Sequence, residues 1–143
     1  MLIALCSEKG SPGTSTSALA LASAWDEPAI VVEADPAGGD LGIRLRPRGN
    51  ALPEAPTVLS LAAAARVDKE PDLTNRHAHV LSPQVSVVPA PLRWEQMAKV
   101  GDWRAVADCL RRSPVPVFAD LGQIHSGSSA LPIAASADVV ILV

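Results

Sequence analysis

Leu2-Ile3-Ala4-Leu5-Cys6 runs directly into Ser7-Glu8-Lys9-Gly10-Ser11-Pro12-Gly13-Thr14-Ser15-Thr16, and an alanine-rich segment follows. Five apolar residues without alternation are the pattern of a strand buried on both faces. Residues 15–25, with Leu19 and Leu21 among small side chains, read as a helix. A strand, a loop of small residues and a helix in that order make a phosphate-binding loop credible. Gly10 and Gly13 permit backbone angles and a close approach that a Cβ would block. Successive amides then point into one concavity, and the helix start adds partial positive charge and unpaired donors. Ser15 and Thr16 supply hydroxyls where a phosphate-bound metal needs an oxygen ligand. The same letters also spell a tight turn with Thr14 or Ser15 as helix N-cap. The loop lacks the Gly-Lys-Ser/Thr ending of a standard phosphate loop.

Outward from this stretch, residues 29–32, 115–119 and 139–143 are further short apolar runs, and residues 85–88 are a weaker one. Helical patterns fill the intervals at residues 58–66, 94–112 and 129–137. The longest of these carries Met97, Val100, Trp103, Val106, Ala107 and Leu110 at helical spacing. Residues 46–56 and 68–75 read as loops from their Pro, Gly, Asn and charged content. Strands alternating with helices predict an α/β fold, a mostly parallel sheet with helices on both faces in three layers.

The 143 residues fit a single domain spanning 1–143. Hydrophobic residues make up 48% and charged residues 19%, enough apolar material for a packed core. With three Trp, one Phe and no Tyr, that core must be built from Ala, Val, Leu and Ile. A net charge of −3 and the lack of a basic amphipathic stretch give no support for DNA or membrane contact by this segment. Cys6 and Cys109 lack metal spacing and read as reduced, buried thiols. Together with the lack of a signal-peptide pattern, this points to a cytoplasmic protein. The last strand pattern, residues 137–143, stops without anything to cover it, so the chain reads as the N-terminal portion of a longer domain or as one whose remaining strands are supplied elsewhere, the alternative being a natural C-terminal strand.

Two acidic motifs follow strands. Glu33-Ala34-Asp35-Pro36-Ala37-Gly38-Gly39-Asp40 succeeds the second strand, and Asp120-Leu121-Gly122 succeeds residues 116–119. Carboxylates at the carboxyl ends of parallel strands face the crevice where such sheets bind ligands. Each motif alone is also a plain strand end with a turn. His77, His79 and His125 are scattered and read as solvated or loop residues, with His125 close behind the second motif. Arg44, Arg46 and Arg48 form either a solvated loop face or a patch contacting phosphate or a partner. Ser126 and Ser128 lack a nucleophile elbow.

In the order KGSPGTS, VVEADPAGGDL and VFADLG, the sequence resembles the ParA/MinD family of deviant Walker A P-loop ATPases. The resemblance is strong over residues 2–41 and fair over 115–122 and 137–143. Between them only residues 85–91, VSVVPAP, fit. The family loop reads KGGxGK[ST]. Lys9 matches the signature lysine that reaches the phosphates of a dimer partner, Gly10 the first glycine, and Gly13 the glycine before the P-loop lysine. Ser11 replaces the second glycine, Pro12 takes the variable position, and Ser15 matches the magnesium-ligating hydroxyl. Thr14 stands where the P-loop lysine belongs. Asp35 matches the aspartate that positions the attacking water, Glu33 replaces the aspartate before it, and Asp120 matches the aspartate that holds magnesium through water. Asp138 matches an "AD-then-apolar" strand start and reads as a cap or turn residue.

The resemblance thus implies an ATP- and Mg²⁺-binding switch protein that forms a nucleotide-dependent homodimer and recruits a protein partner. Its family roles lie in chromosome or plasmid partitioning and in positioning cellular machines. Lys9 and Asp35 would be its catalytic residues, residues 10–16 the nucleotide-binding segment, and Ser15 and Asp120 the metal ligands. Threonine at position 14 supplies no charge to a transferring phosphoryl group, and one lost donor of that kind costs on the order of 2.7–4 kcal/mol. Hydrolysis is therefore expected to be weak or absent. The alternative is a catalytically degenerate scaffold that keeps the fold. A signal-recognition-type GTPase or a phosphate-transfer enzyme on the same loop is a third reading, testable by nucleotide competition.

Overall fold

The computed structural model describes residues 1–10 and 13–143, with Arg48 described in its backbone alone. A six-stranded sheet forms its middle layer, made of β1 (Leu2–Ser7), β2 (Ala29–Glu33), β3 (His79–Val80), β4 (Val85–Val88), β5 (Val117–Gln123) and β6 (Val139–Leu142). The strand order is β3-β4-β2-β5-β1-β6. All pairings are parallel except β3 with β4. The expected three-layer α/β fold is the one observed.

Successive side chains of a strand point to opposite faces, and β1 divides accordingly. Ile3 and Leu5 join Val31, Phe118 and the helix α1 (Thr14–Ala24) in one apolar layer. Leu2, Ala4 and Cys6 join Ile30, Val32 and Ala119 in the other, under α3 (Val58–Ala65), α5 (Trp103–Arg112) and α6 (Leu131–Ser136). Ala18 and Ala22, four residues apart on α1, are fully buried, so the helix lies close on the sheet. Trp25 meets Phe118 edge-on with ring centroids 5.4 Å apart.

The segment expected as one long helix over 94–112 is broken. Residues Trp94–Lys99 form a 3₁₀ helix, Gly101 takes φ +68°, and α5 starts anew at Trp103. Asp102 causes the restart, since its carboxylate accepts from the Arg104 and Ala105 amides at 3.1 and 3.2 Å, an N-cap that competes with helix continuation. The short helix α4 (Leu73–Arg76) begins within the segment read as loop, and α2 (Leu41–Arg44) and β3 were not anticipated. The strand expected at 115–119 instead begins at Val117 and runs on through Asp120 to Gln123.

β6 was expected to be buried on both faces, but it is an edge strand with Leu142 75% exposed. Asp138 ties its start to β1 as a cap: its carboxylate accepts the Leu2 amide at 2.7 Å and its own amide donates to Leu2 O at 2.8 Å. Asp138→Ala removes a charged acceptor from a donor at the head of the central strand. Urea unfolding should register a loss of about 1–3 kcal/mol, and an unchanged midpoint would contradict the clamp.

Candidate functional site

A cleft of about 440 Å³ opens where β1, β2 and β5 end. Its floor is the junction of the first loop with α1. The Ser7 hydroxyl donates to the Gly10 carbonyl, closing the start of the loop. Ser11 and Pro12 lie outside the described residues. Gly13, at φ +99°, is the residue that caps α1, and its carbonyl accepts the Ser17 amide at 2.7 Å. A side chain would strain that left-handed conformation. The capping role therefore falls to Gly13 and not to Thr14 or Ser15, which are the first two helical residues. Thr14 is 1% exposed, and Thr14, Ser15 and Thr16 line the cleft.

Across the floor, the Ser15 hydroxyl donates to Asp120 Oδ2. This contact joins the start of α1 to the middle of the sheet. Asp120 is buried, and its other oxygen accepts the Gly122 amide at 3.1 Å. The Gly122 N–H is thus turned toward Asp120. Gly122 has φ +60°, and a Cβ built on it would overlap the Asp35 carboxylate. Asp35 therefore lies directly over the glycine, and it accepts the Ala37 amide at 2.8 Å. Partial burial pushes the Asp35 carboxyl above its ordinary range, the Ala37 amide opposes this, and the Asp120 charge adds to it.

Glu33 does something the sequence did not disclose. Its side chain is 1% exposed, and its two oxygens accept the Leu41 amide at 2.9 Å and the Ala90 amide at 2.8 Å. The carboxylate thereby pins the first turn of α2 to the segment after β4. Burial raises its pKa first of all, against the lowering effect of the two amides, and the Asp120 charge raises it further.

The structure thus gathers Thr14, Ser15, Thr16, Asp35 and Asp120, with Gly13, around one cleft. Lys9 and Gly10 are exposed on the loop and are not among its lining residues. Three further residues line it: Asp40, Arg44 and Trp94. Of the two readings of Arg44, a solvated loop face or a patch contacting phosphate or a partner, its place on the cleft wall favours the second. Trp94 had been placed in a long helix, although its own exposure of 66% signals a surface role. His125 borders a smaller cleft that shares Asp35 and Ala37 with the main one. His77 and His79 are partly buried and bonded to the carbonyls of Leu73 and Pro56, so they are not freely solvated. Cys6 and Cys109 are buried free thiols, with pKa values raised by desolvation, as expected of inert core cysteines.

Ser15 Oγ and the Asp120 carboxylate are hard oxygen donors of the kind magnesium takes. Among the described residues, no group of three or more His, Cys, Asp or Glu is arranged to hold a metal ion. An ion at this floor would need further oxygens from phosphate or water, which is how magnesium is usually bound beside nucleotides. No described helix is long and apolar enough to cross a membrane.

Neither a protein-family model nor a curated protein matches the sequence. Among solved structures, the chain is similar to the crystal structure of a ParA family ATPase from Chlorobium tepidum TLS, with a TM-score of 0.74 and 18% sequence identity over 99% of this chain. The chain spans 59% of that protein's length. At this identity the likeness establishes the fold, a ParA-like arrangement of parallel strands and flanking helices.

Proposed function

We propose that this chain binds ATP with Mg²⁺ in the cleft at the head of α1, as a ParA-like nucleotide switch with slow or absent hydrolysis. The observation that carries the reading is the Ser15–Asp120 hydrogen bond at the cleft floor. It places a helix-start hydroxyl and a central-strand carboxylate side by side, the pair that a magnesium–phosphate complex would use. Asp35 stands beside them, and its raised pKa suits a group that handles a water proton. A homodimer with Lys9 acting across it belongs to the reading, since Lys9 is exposed and is not among the described residues that line this cleft. Recruitment of a protein partner, and a role in partitioning or in positioning a cellular machine, belong to the same reading.

Calorimetric titration of the full chain with ATP, with and without Mg²⁺, tests it. Magnesium-dependent binding is expected, and Asp120→Ala should weaken it by roughly 100-fold, as loss of a charged, hydrogen-bonded group in a binding site commonly does. Heat signals that are absent, or indifferent to magnesium, would reject the proposal.

A second reading, a scaffold without ATPase activity, is favoured by Thr14, which puts a buried neutral residue at the phosphate end of the cleft. Thr14→Lys separates the two. Turnover appearing only in that variant identifies the natural chain as a binding protein without catalysis, and equal turnover in both removes the scaffold reading.

A further inference from the structure

The described residues lining the cleft carry three carboxylates, on Asp35, Asp40 and Asp120, and one cation, Arg44. A polyphosphate entering such a site meets net negative charge unless metal and arginine offset it. Position 14, where the resembling loops place a lysine, holds a neutral threonine. Arg44 is the last residue of α2, and the start of α2 is anchored from below by the bond from the Leu41 amide to the buried Glu33 carboxylate. The backbone that presents Arg44 is therefore held in place while its guanidinium is exposed at the surface of the cleft. Among the described residues that guanidinium pairs with Asp40, at 3.3 Å, with both side chains more than half exposed. An exposed i,i+4 pair of this kind contributes little stability and is readily exchanged for a stronger acceptor. Phosphate oxygens are such an acceptor, because the planar guanidinium can donate two parallel hydrogen bonds to them.

The geometry points to Arg44 as the cation that contacts the terminal phosphates in this chain, taking from the far wall of the cleft the charge that Thr14 does not supply from its floor. This rests on the ATP-binding reading above. On binding, Arg44 leaves Asp40 for the phosphate, so α2 and the Asp35–Asp40 segment would report the presence of ligand.

Full-length chain and variants titrated with Mg-ATP, Mg-ADP and inorganic tripolyphosphate test this assignment. Arg44→Ala is expected to weaken Mg-ATP and tripolyphosphate by about 10- to 100-fold, the loss typical of a charged hydrogen-bond donor. Because Arg44 is exposed, its melting midpoint should be unchanged. Arg44→Lys should fall between the two, retaining charge without the fork. Adding Thr14→Lys to Arg44→Ala should recover affinity, since a lysine at the floor restores the missing charge. If Arg44→Ala binds Mg-ATP within twofold of the natural chain while Asp120→Ala does not bind, the nucleotide site stands and the role of Arg44 is refuted. If the natural chain binds none of the three probes, the site reading and the Arg44 assignment fall together.

Discussion

Gly122→Ala should lower the melting midpoint by roughly 10 °C or more and remove magnesium-dependent ATP binding. Two independent costs act at this position. The φ of +60° is one that an alanine adopts at a penalty of about 1–2 kcal/mol. The added methyl would also overlap the carboxylate of Asp35 and lie 2.9 Å from its Cβ, so the whole Asp35 side chain must leave its place. Overpacking of that kind costs about 1–3 kcal/mol, and the sum is a sizeable part of the stability of a chain this size. Displacing Asp35 also disturbs the Ala37 amide bond and the cleft wall it supports. The overlap can be separated from the backbone strain by a double-mutant cycle. With Asp35→Ala in the background, the collision with the carboxylate is gone and only the backbone penalty and the close Cβ pair remain. Gly122→Ala should then cost measurably less, a coupling expected for residues in contact. Additive effects of the two substitutions would show that Asp35 does not lie over the glycine.

Glu33→Ala should destabilise the chain by roughly 2–5 kcal/mol, with a pH signature that identifies the cause. The substitution leaves two buried amides, those of Leu41 and Ala90, without acceptors, at about 1–3 kcal/mol each. Removing a buried carboxylate recovers part of this, because burial itself disfavours its charge. Glu33→Gln should cost less than Glu33→Ala, since an amide oxygen can still accept one of the two N–H groups. The pH dependence follows from the raised pKa of Glu33. A folded-state pKa above the ordinary value of 4.5 means that the folded chain holds this proton more tightly than the unfolded one. The stabilisation is complete below that value and is lost as pH rises through the folded-state pKa. Asp35, raised from 3.8, acts in the same direction. The stability gap between the natural chain and Glu33→Gln, followed by chemical denaturation from pH 4 upward, should therefore narrow as pH rises. A gap that widens would place the charged form of Glu33 as the favoured one and reverse the argument. Loss of the anchor should also weaken Mg-ATP binding through α2, since Arg44 is carried on that helix.

The order of the elements was legible because it rests on local chemistry. Apolar runs such as Leu2–Cys6 have only one economical fate, burial on both faces of a parallel sheet, and the alanine-rich segment after Gly13 packs closely on such a sheet. The apolar runs that precede Asp35 and Asp120, and the loop before Ser15, were located for the same reason, but β5 continues to Gln123, so Asp120 lies within its strand and not at the end that the run of apolar residues suggested. The long helix over 94–112 misled because its apolar spacing continues through Gly101 and Asp102, where backbone geometry and a side-chain cap outweigh periodicity.

What the sequence alone determined is thus the layered α/β plan and the order of its motifs, a small-residue loop followed by two acidic segments. Only the tertiary structure decided how the polar groups pair. Glu33 looked like a substitute for a site carboxylate, yet it is a buried anchor for Leu41 and Ala90, which are 8 and 57 residues away in the chain. Arg44, Arg46 and Arg48 were equivalent in the sequence, yet of these only Arg44 is among the described residues that line the cleft. The Gly122 amide donates to Asp120, a pairing for which the sequence carried no signal. Hydrophobic burial is non-directional and leaves its mark as a pattern in the sequence, whereas a hydrogen bond or an ion pair requires particular atoms to meet within a few tenths of an ångström. That meeting is set by the packing of the whole sheet and its helices, which no local pattern encodes.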